Sequence, residues 1–65
     1  MNLSFSESAI CQQMARMGEA RRARNAKLFD EAMSNVRETL HHIQHSEPDL
    51  YSTYARVLEQ KFEHH

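Results

Sequence analysis

The stretch FDEAMSNVRETLHHI, residues 29–43, decides the fold. Its large apolar residues Phe29, Met33, Val36, Leu40 and Ile43 step by four, three, four and three. That is the spacing of a helix that packs against another helix. Ala32 widens the stripe, and the pattern predicts a helix B over about 28–45. The following HSEPDL ends it: Ser46 is suited to cap the next helix, Pro48 to its first turn, and Glu47 and Asp49 to its positive end. A helix C is expected over about 48–62, with Leu50, Tyr51, Tyr54, Val57, Leu58 and Phe62 on one side. The short link makes B and C antiparallel neighbours. Counted outward from the turn, Ile43 should meet Leu50, Leu40 meet Tyr54, Val36 meet Leu58, and Met33 meet Phe62.

Upstream, Ser4 and Glu7 form a Ser-x-x-Glu capping box, in which hydroxyl and carboxylate satisfy each other's backbone amides. Leu3, Ile10, Met14 and Met17 form a narrow stripe, so a helix A is expected over about 5–17. The apolar pattern then stops, and restarts at Leu28 about a quarter-turn out of phase. The intervening segment, GEARRARNAK (18–27), is rich in Ala and Arg, which favour helix. It either turns near Gly18 to Asn25 or carries one long helix from about 5 to 45; composition favours a continuous or merely kinked helix.

The fold class read from these patterns is all-α: a helical hairpin with an additional or continuous N-terminal helix, in a single domain over 1–65. One Gly and one Pro leave too few turns for an all-β fold. A single core in a chain below roughly 70–80 residues rarely supplies more than about 3–5 kcal/mol. Cys11 is the only cysteine, so no intrachain disulfide adds to it, and a reducing cytoplasm is expected. A two-helix hairpin leaves apolar surface uncovered, and helix A offers few residues to cover it. A symmetric homodimer with a four-helix-like core is therefore expected. No apolar run approaches the roughly 20 residues of a membrane span, and the N-terminus lacks the features of a signal peptide.

The net charge of −1 is divided. Residues 1–27 carry five cations against Glu7 and Glu19, a net +3; residues 28–65 carry three cations against seven acids, a net −4. The cations Arg16, Arg21, Arg22, Arg24 and Lys27 are candidate binding residues for nucleic-acid phosphate or for a docking protein. Against nucleic acid stand the acidic total, the fanning of these side chains around a helix, and the lack of interleaved aromatics for base stacking. Met14 and Met17 are adaptable apolar groups that suit a partner groove or the core. His41 and His45 share a helix face at metal-ligand spacing, but their place at a helix C-terminus explains them without a metal. His64 and His65 are assigned nothing. Cys11 has no motif partner for catalysis, and a single Gly excludes the usual phosphate-cradling loops. No enzyme activity, metal or cofactor is expected.

Two resemblances bear on function. The segment DLYSTYARVLEQKF resembles the second helix of the Rop family of RNA-binding hairpin dimers, which implies architecture only. The whole chain, beginning MNLSFSESAICQQMARMGEARRARNAKLFDEAM, looks like the small helical proteins of the early exo-xis region of lambdoid phages. That resemblance implies a non-catalytic accessory protein in the cytoplasm of a bacterial host, binding a host or phage protein to influence host physiology or the lysis–lysogeny decision. The alternative expectation is a nucleic-acid-binding dimer using the basic segment 16–27.

Overall fold

The computed structural model describes residues 4–63. They form three helices: α1 (Phe5–Ala23), α2 (Ala26–Ile43) and α3 (Pro48–Leu58). A π-helical turn, Glu59–Glu63, prolongs α3. No strand is formed among the described residues, so the all-α class holds.

α1 begins at Ser4, whose Oγ accepts from the Glu7 amide at 3.1 Å. Only this half of the expected capping box forms. The Glu7 carboxylate is instead drawn to α3, where it accepts from the Tyr54 hydroxyl at 2.8 Å. Leu3 lies outside the described residues.

The basic segment is helical through Ala23 and then breaks, which corrects the expected continuous or kinked helix. Arg24 adopts the left-handed conformation, φ 56° and ψ 38°. Its N–H donates to the Arg21 carbonyl at 3.2 Å, and the next N–H, of Asn25, donates to the Ala20 carbonyl at 2.8 Å. These two bonds are the pattern of a Schellman closure, with Arg24 where glycine is usual. Asn25 simultaneously starts α2. Its Oδ1 accepts from the Leu28 amide at 3.1 Å, and its carbonyl accepts from the Phe29 amide at 3.0 Å. One residue thus closes one helix and caps the next, and the helix reverses over two residues.

That reversal lays α1 antiparallel along α2. Ile10 and Met17 from α1 meet Ala32, Val36, Leu40 and Ile43 from α2, all 5% exposed or less, and Ala20 of α1 is buried as well. The α2 stripe is therefore the core face foreseen, with Phe29 and Met33 half-buried at its end. From α3 only Leu58 is fully buried. α3 packs against α2, and side-chain bonds tie it to α1 as well. Tyr54, expected opposite Leu40, turns to Glu7 and Cys11 of α1. The Phe62 ring reaches Phe29, one turn beyond Met33, with centroids 6.1 Å apart. Glu47 takes the cap position of α3 without a side-chain bond, so Ser46 is not the cap; Pro48 and Asp49 stand in the first turn as expected.

The turn gives a test with opposite signs. Arg24→Gly is expected to stabilise the fold by about 0.5–1 kcal/mol, because glycine adopts positive φ without the Cβ penalty. Asn25→Ala is expected to cost about 1 kcal/mol through loss of the cap. Thermal or urea unfolding measures both; a loss on Arg24→Gly would contradict the closure described.

Candidate functional site

The up-down-up path brings three helix ends together: the C-terminus of α1, the N-terminus of α2 and the terminal turn after α3. Arg21, Arg22, Arg24 and Lys27 lie at or next to the α1–α2 turn, and a bond from Arg21 to the Lys61 carbonyl brings the terminal turn beside them. At the other end, Glu7 stands in the first turn of α1 and Asp49 in that of α3, while His41 and His42 close α2. Much of this division follows from the helices themselves. A helix favours acids near its N-terminus and cations near its C-terminus, by about 0.3–1 kcal/mol each at the surface. Glu7, Asp49, Arg21, Arg22, His41 and His42 all obey.

Arg24 and Lys27 do not. Arg24 occupies a left-handed position that glycine fills more cheaply. Lys27 stands in the first turn of α2, which contains no acid, at the end where positive charge is disfavoured. Both are exposed, and no acid lies within ion-pair distance of either among the described residues. Side chains that violate a local rule without a compensating contact mark candidate functional positions.

The other candidate residues separate by role. Arg21 is engaged within the fold. Its Nη1 donates to the Lys61 carbonyl at 2.8 Å and its Nη2 to the Phe62 carbonyl at 3.3 Å. Its guanidinium lies 5.0 Å from the Phe62 ring centre and 5.6 Å from that of Phe29. It satisfies carbonyls at the end of the third helix and adds cation–π attraction to two rings. Arg22 is exposed beside it. Arg16, six residues earlier, projects about 120° away around α1, so the basic residues do not form one patch. Met17 is 0% exposed within the core, and Met14 is half-buried against that core. Met17 therefore packs the interior and is not open to a partner groove in this conformation.

Two groupings had no signal in the sequence, because their members are 26 to 47 residues apart. Arg37 pairs with Glu63, tying the terminal turn to α2. Between α1 and α3, the Tyr54 hydroxyl donates to Glu7 and lies 3.4 Å from the Cys11 sulfur. The bond with Cys11, then that with Glu7, then burial push the Tyr54 ionisation well above the ordinary tyrosine value. The histidines gather no larger set: among the described residues, no group of three or more His, Cys, Asp or Glu side chains is placed to hold a metal ion. No helix among the described residues is long and apolar enough to cross a membrane.

The Tyr54 cluster sets a pH dependence. Its folded-state pKa exceeds the unfolded value of about 10, so the folded state retains the proton longer. The stabilisation is complete below about pH 10 and declines as pH rises beyond it. Tyr54→Phe is expected to cost about 1 kcal/mol at pH 7 and to flatten the fall in stability above pH 10. Urea unfolding at pH 7 and at pH 11 checks both; an equally steep fall in the variant would assign the effect to another group.

No family model matches this chain, and neither a curated protein nor a solved structure is significantly similar to it.

Proposed function

We propose that this chain is a small non-catalytic regulator that works by binding another protein, with the basic end of the bundle as its docking surface. The observation that carries the proposal is the placement of Arg24 and Lys27. Two exposed cations sit at positions that cost the fold stability: Arg24 in the left-handed residue of the two-residue turn, and Lys27 in the first turn of α2 that follows it. A partner with an acidic surface would supply the charge that α2 lacks in its own first turn. Arg22 adjoins them. Arg21 acts from within, as the residue that holds the terminal turn in place beside the site.

The proposal includes a symmetric homodimer. Its support is the modest core: among the described residues eight side chains are buried, one of them from α3, with Leu50, Tyr51 and Val57 left half-buried. The whole-chain resemblance to small exo-xis proteins places the regulator, within this proposal, among early phage accessory proteins that act on host physiology or the lysis–lysogeny decision. Nucleic acid is the competing partner for the same cations. Protein is favoured because Arg21 already lies against Phe29 and Phe62, the aromatic rings nearest the basic end.

The test is affinity capture from bacterial lysate with the wild-type chain and with Arg24→Glu/Lys27→Glu, each with and without nuclease. A protein retained by wild type, unaffected by nuclease and lost with the double variant is the expected result. Retention that disappears on nuclease treatment would replace the protein-binding reading with the nucleic-acid one. Light scattering at micromolar concentration is expected to give the dimer mass; a monomer mass would remove the homodimer.

A further inference from the structure

Beside the α1–α2 turn lies an open depression whose far wall is the terminal turn. Its apolar surface comes from Ala26, Phe29 and Phe62 over the buried Ala20, and Arg21 and Arg24 complete its lining. Asp30 is the one carboxylate in its lining. The rings of Phe29 and Phe62 are tilted at 56° to each other, and Arg21 lies over both. The walls are therefore fixed from three directions: by the closed turn, by α2, and by the bonds from Arg21 to the Lys61 and Phe62 carbonyls.

We infer that this depression is a peptide-binding site that takes an apolar side chain flanked by carboxylates in an acidic segment of the partner. The inference rests on the protein-docking proposal and names the chemistry of the partner. Two features determine that chemistry. The exposed parts of Ala26, Phe29 and Phe62 gain from covering with an apolar group, since removal of apolar area from water is favourable. The two guanidiniums in the lining, Arg21 and Arg24, outnumber its one carboxylate, and Lys27 in the first turn of α2 adds a further cation to this end of the bundle, so the surroundings favour anions. A peptide with an apolar residue between acids satisfies both; a purely anionic chain satisfies only the second.

The probe is a capped peptide of glutamates around a central leucine, compared with its twin bearing serine in place of leucine, by calorimetric titration and amide chemical shifts. The leucine peptide is expected to bind about tenfold more tightly, the ratio that partial burial of one such side chain supplies. Its largest shifts are expected at Ala26, Phe29 and Phe62. Arg24→Gly removes a cation while relaxing the turn, so it is expected to weaken binding several-fold at undiminished thermal stability. Equal affinity for both peptides, or unchanged affinity in Arg24→Gly, would overturn the site and leave the acidic-partner proposal standing. Shifts confined to another face would do the same. Binding by neither peptide, or tighter binding of a single-stranded oligonucleotide, would overturn the site and the protein-docking proposal together.

Discussion

The 2.8 Å bond from the Asn25 N–H to the Ala20 carbonyl joins the end of one helix to the start of the next. Without that closure, α1 and α2 would form a single rod, and the stripe from Ala32 to Ile43 would need another chain to cover it. With it, α1 supplies Ile10 and Met17 to the same interior. The closure requires Arg24 in a backbone region that most side chains avoid. The strain is local and small beside the apolar burial it permits.

The third helix depends on the hairpin. α3 contributes one fully buried residue, Leu58, and is otherwise held by contacts with both of the other helices. Tyr54 bonds to Glu7 near the start of α1, and Arg21 bonds to carbonyls of the terminal turn near its end. Arg37 of α2 pairs with Glu63. Several of these ties are exposed, where an ion pair contributes about 0–1 kcal/mol, so they align α3 more than they stabilise it. Alignment has a consequence at the basic end: it places Phe62 opposite Phe29 and forms the wall of the depression.

The charge division along the chain has two origins once the helices are located. Part of it complements helix dipoles and needs no function. Arg24 and Lys27 stand against that trend, and this separates them from the remaining basic residues. A functional reading based on the whole segment 16–27 treats five cations as equivalent. The fold makes them unequal: Arg16 projects elsewhere, Arg21 is engaged internally, Arg22 suits the end of α1, and Arg24 and Lys27 are left exposed at disfavoured positions.

The sequence by itself determined the helical class, the inward face of α2, the start of α1 at Ser4 and the start of α3 at Pro48. These follow from periodicity and local capping, which act over a few residues and are written in adjacent letters. Tertiary structure decided the rest. The break at Arg24 was hidden because composition favours helix there, and closing a helix on a non-glycine residue is worthwhile only when the returning chain buries Met17, Ala20 and Val36. The roles of Arg21 and Tyr54 were equally hidden, since their partners lie about 40 residues or more away. Local pattern fixes which side of each helix is apolar; only the packed arrangement of three helices fixes which cation remains free and where an apolar hollow lies beside it.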